Sequence, residues 1–360
     1  MNKSLDKFRN IFRITGVDRI LIYNQYKDVT DKTFFYLAQP ESGVFENSWI
    51  IMSPDRAVML TSRLEESAAS ETDLEVLTYE NRQNMFDILE KEINGNKKIG
   101  LNFKALSTEI FFAIKDKLKG RDFIDVSEDI LKIRMIKNSE EIEKISHACE
   151  ISAEALKEVT SEITEGITEI AVASKLACSM LNRGASTFFT GVSFGDNTAV
   201  PHHHPSARKL GKNEFVLMDY GAMYQGYWSD ITRTFVYGKA SEKQVDIYKA
   251  VLRAQNIAFD SILEGERGYD VHAKVRDFIN STEYKGKFIH GLGHGLGMNV
   301  HDHPAMGNNS EIVLKEGMVV TVEPGIYISG FGGVRIEDDI VVTKSGYNKI
   351  SHIDTNLTEI

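Results

Sequence analysis

The feature of this 360-residue sequence that most constrains its fold is the segment FVLMDYGAMYQGYWSDITRTF at residues 215–235. Two arms rich in β-branched and aromatic residues flank a Tyr-Gln-Gly centre, and this pattern predicts a β-hairpin. A two-residue turn at Tyr224–Gln225 would place Asp219 directly opposite Asp230, whereas a bulge at the central glycine would shift that register. Like charges directly opposite each other destabilise a hairpin, and Asp is a poor strand residue. The pair therefore favours a cation bound between the two carboxylates.

A second predicted hairpin carries another acidic pair. The strand-like segments Val319–Glu323 and Val334–Val342 flank a glycine-rich turn. Centring this hairpin on Gly330 places Glu323 opposite Glu337. Exposed acids at strand ends would explain one such pair, but two pairs embedded in apolar strands favour a common metal site.

Between the two hairpins lies a glycine-rich segment, HGLGHGLGMNVH, that contains His290, His294 and His301. Its alternating glycines allow backbone and side chains to approach a crowded centre. Each histidine by itself fits a hydrogen-bonded polar network, but beside four acids one of them becomes a candidate metal ligand, and the spacing does not identify which. Four carboxylates and one imidazole form an oxygen-rich donor set that suits Mn, Co, Fe or Zn. Bridging carboxylates would hold two ions roughly 3.5–4 Å apart, an arrangement that activates water for hydrolysis.

Composition excludes several other classes of protein. Hydrophobic residues make up 42% and charged residues 26% of the chain, as in a globular protein long enough to bury a core. The net charge of −10 argues against nucleic-acid binding, because phosphate binding requires a basic surface. No apolar run approaches the roughly 18 residues of a membrane helix, so we expect no membrane association. The first ten residues lack the apolar core of a signal peptide, and Cys149 and Cys178 are expected to be structural thiols, so the sequence predicts a cytoplasmic protein.

The pattern of elements predicts two domains, residues 1–128 and 129–360. The first alternates strands and helices and has no cluster of His, Asp or Glu that resembles a site, so we interpret it as a supporting α/β domain. Its predicted strands are Ile20–Tyr23, Ser48–Met52 and Ala57–Leu60, and its predicted helices are Met85–Ile93 and Thr108–Leu118.

The second domain opens with two predicted helices. A capping box of Asn138 and Glu141 starts the first helix. The second covers Glu169–Arg183 and ends before Gly184. After this glycine the chain changes to strands and turns, and every candidate site residue lies there. The sequence therefore predicts an α/β (α+β) fold.

Three of these stretches resemble the metal-dependent pita-bread peptidases, a family that includes prolidase (Xaa-Pro dipeptidase), aminopeptidase P and methionine aminopeptidase. They are MDYGAMYQGYWSDITRT, HGLGHGLGMNVH and TVEPGIYISGFGGVRIED. The resemblance implies a C-terminal pita-bread domain, a curved antiparallel sheet flanked by helices, preceded by a smaller creatinase-like N-terminal domain. It also implies two divalent ions (Mn, Co or Zn, with Mn or Co favoured). The implied ligands are Asp219 on one ion, His294 and Glu323 on the other, and Asp230 and Glu337 as bridges between them.

The resemblance also assigns the other histidines. In the segment VPHHHPS, His202 matches a histidine that contacts substrate. His203 and His204 are extra, and we expect them in a solvated loop. His290 and His301 would line the substrate side of the ions.

The implied mechanism is hydrolysis by a water that the two ions share. Glu323 would accept the proton of this water and pass it to the leaving nitrogen. His202 and His301 would donate hydrogen bonds to the developing oxyanion. The α-amine of the substrate would meet Asp219 and its ion.

Two further positions bear on substrate binding. Arg335 precedes Glu337 by two residues on the same strand face and matches a family residue that partners an acidic ligand, so it joins the implied substrate-binding set. A surface arginine is the alternative. Ala305 stands where many prolidases carry an arginine that holds the terminal carboxylate of the dipeptide. Arg208 or His203 could take its place.

The implied function is Xaa-Pro dipeptidase activity on small peptides, carried out by a homodimer. Because the usual arginine is missing, aminopeptidase P activity on longer Xaa-Pro peptides is the alternative. A non-catalytic pita-bread binding module and a metal-free creatinase-like hydrolase are disfavoured, because such relatives lack metal ligands and all five are present here.

Overall fold

A computed structural model describes residues 3–25 and 30–360 and separates the chain into two units, Met1–Arg134 and Met135–Ile360. Both units combine helices with β-sheets, so the predicted α/β class is confirmed. Among the described helices, none combines the length and the apolar character that a membrane crossing requires.

The N-terminal unit is built on one six-stranded mixed sheet with the strand order β4-β3-β2-β1-β5-β6. Its strands are β1 (Arg19–Asn24), β2 (Ser48–Met52), β3 (Ala57–Ser62), β4 (Glu75–Tyr79), β5 (Lys98–Leu101) and β6 (Asp122–Asp125). Its helices are α1 (Lys3–Thr15), α2 (Lys32–Ala38), α3 (Glu66–Ser70), α4 (Arg82–Glu92), α5 (Thr108–Lys117) and α6 (Ser127–Met135), with a 3₁₀ turn at Arg63–Glu65. Strand β2 is buried along its whole length, which fits a central strand whose sheet is covered on both faces. The predicted strands and helices of this unit are confirmed, with ends that differ by up to three residues.

The second unit contains three antiparallel sheets and four helices in the described residues. Its strands are β7 (Thr187–Phe194), β8 (Glu214–Tyr224), β9 (Tyr227–Trp228), β10 (Ile231–Tyr237), β11 (Gly293–Gly295), β12 (Asp302–Met306), β13 (Val319–Val322), β14 (Gly325–Ile328), β15 (Gly332–Arg335), β16 (Asp338–Thr343) and β17 (Gly346–Lys349). Its helices are α7 (Ser139–Thr160), α8 (Glu169–Asn182), α9 (Glu242–Phe259) and α10 (Gly268–Asn280), with a 3₁₀ turn at Gly195–Ala199. Apolar side chains of α9 and α10 pack against those of β13 to β16 in one core. This core supports the strand ends that carry the candidate site residues.

Local sequence explains where the first two helices of this unit begin and end. The side chain of Asn138 accepts from the backbone N–H of Glu141, and the Glu141 side chain accepts from the backbone N–H of Asn138, so the predicted capping box is confirmed. Helix α8 ends at Asn182, and Gly184 follows with a φ of 93°. A left-handed glycine just beyond a helix is a common stop signal, and the prediction at this position is also confirmed.

The first hairpin has a different register from the predicted one. Its turn lies at Gln225 and Gly226, whose φ angles are 46° and 83°, and not one residue earlier. Asp219 therefore pairs with Thr232, and the prediction that it directly faces Asp230 is wrong. Since Asp230 precedes Thr232 by two residues, it is a diagonal neighbour of Asp219 on the same face of the hairpin.

The second hairpin has the predicted register. Val322 pairs with Asp338 in one ladder, and Gly325 pairs with Arg335 in the next. Between these two ladders, Glu323 lies on one arm and Glu337 lies opposite it on the other arm. The two glutamates therefore face each other where the strand pairing is interrupted, and their side chains are free to turn toward a common centre.

Candidate metal centre

The five predicted ligands converge on one centre. Their side-chain oxygen and nitrogen atoms form overlapping groups of three within which all the atoms lie within 4.8 Å of one another. One group joins three carboxylates, another joins two carboxylates with a histidine, and the third joins one carboxylate with two histidines, of which His301 is not among the five. These groups are Asp219–Asp230–Glu337, His294–Glu323–Glu337 and Asp230–His294–His301. Because neighbouring groups share a ligand, the arrangement suits two adjacent cations.

Each ligand comes from a strand or from the residue beside one. Asp219 lies within β8 and Asp230 directly precedes β10, while His294 occupies the middle of β11. Glycine makes the close approach of β11 and β13 feasible: a Cβ atom at Gly293 would lie 2.1 Å from the carbonyl oxygen of Thr321.

Hydrogen bonds fix the orientation of the acids. The Thr232 hydroxyl donates to Oε2 of Glu337 at 2.6 Å. The backbone N–H of Asp230 donates to Oδ2 of Asp339 at 2.9 Å. Both carboxylates are almost fully buried, with 2% of Glu337 and 4% of Asp230 exposed. Thr232 thus orients the carboxylate of Glu337, Asp230 is held through its backbone, and each acid contributes an oxygen atom to the centre.

His294 presents its Nε2 atom to the acids. Its Nδ1 atom lies 3.0 Å from the carbonyl oxygen of Gly295, which accepts only from a protonated Nδ1. In a neutral ring Nε2 carries the lone pair, and it lies 3.4 Å from Oδ2 of Asp230 and 3.5 Å from Oε1 of Glu323. A neutral histidine with this tautomer is suited to metal binding.

The electrostatics of the centre fit bound cations. Burial, and then the charges of Glu337 and Asp219, raise the pKa of Asp230 well above its ordinary value. Burial and the charge of Glu337 do the same to the pKa of Glu323. Burial and Asp219 raise the pKa of Glu337 to about 6. Several buried carboxylates in mutual repulsion are costly, and divalent cations among them would relieve both the burial cost and the repulsion. The donor set and its charge therefore fit two divalent ions.

Arg335 lies within the centre, not on the surface. Only 3% of it is exposed, and its guanidinium donates to Oδ2 of Asp219 at 2.7 Å and to the Tyr327 hydroxyl at 3.1 Å. The Tyr327 hydroxyl lies 2.8 Å from Nε2 of His290, whose Nδ1 lies 2.7 Å from the carbonyl oxygen of Gly291. Burial and the charge of Arg335 lower the pKa of His290 to about 4, so this ring is neutral. Both nitrogens of His290 are thus engaged within the protein.

The centre opens into a cavity of about 510 Å³. His202 and His301 lie in its wall, and both are exposed to it. Burial, together with the neighbouring His294 and His202, lowers the pKa of His301. Val200 and Ile289 add apolar surface. A cavity with a polar floor and part-apolar walls suits a small peptide.

Two predictions about residues near the cavity are wrong. His203 does not lie in a solvated loop, because its side chain is 20% exposed and its Nε2 lies 2.9 Å from Oε2 of Glu169. Neither His203 nor Arg208 is available to replace the missing arginine. Arg208 binds Glu214 at 2.9 Å and Asp196 at 3.1 Å. His204, in contrast, is exposed as expected.

Three residues that support the ligands were missed by the sequence analysis. Thr232 and Asp339 each follow a predicted ligand by two residues, so the period of a strand places them on the same face as that ligand. That spacing could have identified them. Tyr327 follows Glu323 by four residues and lies diagonally across the second hairpin from Arg335, so the same spacing applies to it. Only its contact with His290, 37 positions away, has no signal in the sequence. Cys149, predicted as a structural thiol, is buried and donates to Oδ2 of Asp339 at 3.3 Å.

The metal-free protein is expected to lose stability as the pH rises from 5 to 7.5. Glu337 has a pKa of about 6 in the fold and 4.5 ordinarily, so between these values the folded chain binds more protons than the unfolded chain. Its contribution is fully present below pH 4.5 and is lost as the pH rises through 6, which amounts to about 2 kcal/mol in all, of which about 1.2 kcal/mol is lost between pH 5 and 7.5. Urea unfolding of chelator-treated protein across this pH range measures the effect.

The control for this prediction is the same series with saturating Mn²⁺. Bound cations favour ionised carboxylates, so metal should add more stability at pH 7.5 than at pH 5. Parallel stability curves with and without metal would contradict the prediction.

Two family models match the sequence. The model of metallopeptidase family M24 matches residues 143–344, and the Creatinase/Prolidase N-terminal domain model matches residues 5–136. Among curated proteins, the Xaa-Pro dipeptidase of Pyrococcus furiosus is 34% identical over 360 residues, which cover 99% of this chain and 100% of that one.

Solved structures give a similar picture. An Xaa-Pro dipeptidase from Bacillus anthracis has a TM-score of 0.92 at 33% identity, and the match covers 99% of each chain. An X-Pro aminopeptidase from Thermotoga maritima has a TM-score of 0.91 at 32% identity, covering 97% of this chain and 99% of that one. The likeness therefore extends over the whole length of both.

Proposed function

Because this chain belongs to metallopeptidase family M24, we propose that it hydrolyses the peptide bond between an N-terminal residue and a following proline, as an Xaa-Pro dipeptidase. The observation that carries the proposal is the convergence of the five candidate ligands on one cavity within the unit that the M24 model matches. Full-length likeness to the Pyrococcus dipeptidase supports the choice of substrate.

We propose that residues 129–360 carry out catalysis and that residues 1–128 support them. Two divalent ions would be held by the five ligands, as assigned above, and when bound they supply a polarised scissile carbonyl and a water of lowered pKa. We favour Mn or Co over Zn on the family resemblance, and the carboxylate-rich donor set suits Mn in particular.

Glu323 is the proposed proton carrier. Its carboxylate lies at the centre, with Oε1 3.5 Å from Nε2 of His294, where it can accept the proton of the attacking water and then pass it to the leaving nitrogen. The Thr321 hydroxyl, 3.4 Å from Oε1, helps to hold the carboxylate in position for both transfers. Asp219, held by Arg335, would receive the α-amine of the substrate beside its ion.

His202 and His301 are the proposed donors to the developing oxyanion. Both line the cavity and are exposed to it, so a substrate carbonyl can reach either ring. Preorganised donors of this kind are worth a few kcal/mol in the transition state. His290 would contact substrate through its ring surface, because its two nitrogens are already engaged.

Location and assembly are also proposals. Cys178 is a free, exposed thiol and Cys149 a free, buried one, which supports a reducing, cytoplasmic environment. A homodimer is proposed from the family resemblance, and light scattering of the purified protein would measure it.

Activity on longer peptides is a second candidate function. Arg208 and His203 are bound to acids elsewhere, and Ala305 cannot hold a terminal carboxylate. The similar structure from Thermotoga maritima is named an X-Pro aminopeptidase. Both observations favour acceptance of Xaa-Pro peptides that continue beyond proline.

A panel of three peptides tests these candidates. With added Mn²⁺, Co²⁺ or Zn²⁺, we expect hydrolysis of Ala-Pro and slow or no hydrolysis of Ala-Ala. Cleavage of Ala-Pro-Ala in preference to Ala-Pro would select the aminopeptidase, and cleavage of neither proline peptide would overturn the proposed specificity.

A further inference from the structure

A buried carboxylate outside the metal centre, that of Glu169, accepts hydrogen bonds from residues on both sides of His202. Glu169 is the first residue of α8, and its side chain is 0% exposed. Its Oε1 atom accepts from the backbone N–H of Phe194 and from the Asn197 amide, both at 2.8 Å. Its Oε2 atom accepts from the backbone N–H of Ser206 at 2.9 Å, from the Ser206 hydroxyl at 2.5 Å and from Nε2 of His203 at 2.9 Å. We call Glu169 with the side chains of Asn197, His203 and Ser206 the Glu169 anchor.

The charge of the anchor is satisfied within the protein. Burial alone would raise the pKa of Glu169, but the hydrogen bonds from Ser206, Asn197 and His203 outweigh it, and the pKa is lowered. A buried carboxylate with five donors holds them firmly, because removing a donor leaves part of a buried charge unpaired.

The anchor brackets His202 in sequence. Asn197 lies five residues before it, and His203 and Ser206 follow it. Between these fixed points, the wall of the cavity includes His202 and the two residues before it. The segment is also tied to β15, because the backbone N–H of Gly333 donates to the Thr198 hydroxyl at 2.7 Å.

The two adjacent histidines have different environments. His202 is exposed in the wall of the cavity, whereas His203 is half-buried against Glu169. Adjacent residues share one planar peptide unit, so a contact that holds His203 limits the positions open to the backbone of His202. Fixing His203 therefore restricts where the imidazole of His202 can lie relative to the metal centre.

We propose that His203 is a positioning residue, which through its bond to Glu169 holds His202 where it can donate to the substrate carbonyl. The inference rests on the proposed function, because it assumes that His202 acts in peptide hydrolysis. The hydrogen bond from His202 strengthens as the carbonyl oxygen becomes negative, so the loss should fall mainly on kcat and much less on KM.

A double-mutant cycle tests the proposal with Ala-Pro as substrate and Mn²⁺ as the metal. His203→Ala should lower kcat about tenfold, with KM and bound metal nearly unchanged. This loss is smaller than the loss expected when an oxyanion donor is removed outright, because His202 itself is still present. His203→Gln, whose side-chain amide can still donate to Glu169, should recover most of this loss. His204→Ala, a change at the exposed neighbour, should behave like the wild-type protein.

The decisive comparison repeats His203→Ala in a His202→Ala background. If His203 acts through His202, the second substitution should add no further loss of kcat, since coupled residues are not additive. An equal loss in both backgrounds, or no loss from His203→Ala alone, would overturn the proposal.

Hydrogen exchange separates this inference from the proposed function. Backbone amides of residues 195–206 should exchange faster in His203→Ala than in the wild-type or His204→Ala protein, whatever the substrate is. Unchanged exchange in His203→Ala would overturn the positioning role. If exchange is faster in His203→Ala but the wild-type protein cleaves no Xaa-Pro peptide, only the proposed function is overturned.

Discussion

Glu323→Gln is expected to lower kcat for Ala-Pro by at least about 10³-fold. General acid–base catalysis alone contributes about 10²–10⁴-fold, and this variant also replaces a charged candidate ligand by a neutral one. Glutamine keeps the shape of glutamate and can still accept from the Thr321 hydroxyl, so the fold should be retained. Steady-state kinetics at saturating Mn²⁺ measures the effect, and unfolding experiments check the fold.

Glu283→Gln is a matched control for this variant, because Glu283 is exposed and the charge change is the same. Its kcat should equal that of the wild-type protein. If Glu323→Gln retained kcat within tenfold, Glu323 could not be the proton carrier.

Asp230→Asn is expected to have opposite effects on metal binding and on the stability of the metal-free protein. Loss of a bridging carboxylate should lower the bound metal from two ions to one or fewer per chain and lower kcat/KM by about 10³-fold. Asp230 is buried among the charges of Glu337 and Asp219, so its neutral replacement should make the metal-free protein more stable. The backbone N–H that donates to Asp339 is unaffected.

Metal analysis and thermal unfolding with and without Mn²⁺ measure the two effects together. Asp73→Asn, at an exposed position of the N-terminal unit, should bind metal and unfold like the wild-type protein. An Asp230→Asn protein that keeps two ions would show that Asp230 is not a bridge. One that is less stable than the wild-type protein without metal would show that the buried charges do not repel as inferred.

The acidic pairs could be predicted from the sequence even though the first register was wrong. A turn with positive φ at both central residues most often uses Asn-Gly, and the Gln-Gly at 225–226 gives a weaker signal. Moving the turn by one residue shifts the register by two, which leaves each side chain on its predicted face. Asp219 and Asp230 therefore still meet, diagonally and not directly.

Which histidine joins the acids could not be predicted from spacing. His290 and His294 lie four residues apart in the same glycine-rich segment, and only the tertiary structure distinguishes them. The first is engaged by Tyr327, while Nε2 of the second lies near Asp230 and Glu323. The family resemblance, and not the residue pattern, made this choice in advance.

The role of His203 could not be predicted either, because its partner lies far away in the sequence. Glu169 precedes it by 34 residues and had been assigned only to the start of a helix. A run of three histidines suggests a solvated loop when its partners are unknown. Sequence patterns predict contacts between residues at the regular spacing of a helix or a strand. The residues that donate hydrogen bonds to a buried carboxylate from a loop have no regular spacing.

The most direct test of the central claim is an anomalous difference map from crystals grown with Mn²⁺. We predict two peaks roughly 3.5–4 Å apart. They should lie among the side chains of Asp219, Asp230, His294, Glu323 and Glu337. A map with no peak among these side chains, or with manganese bound only elsewhere on the protein, would contradict the account.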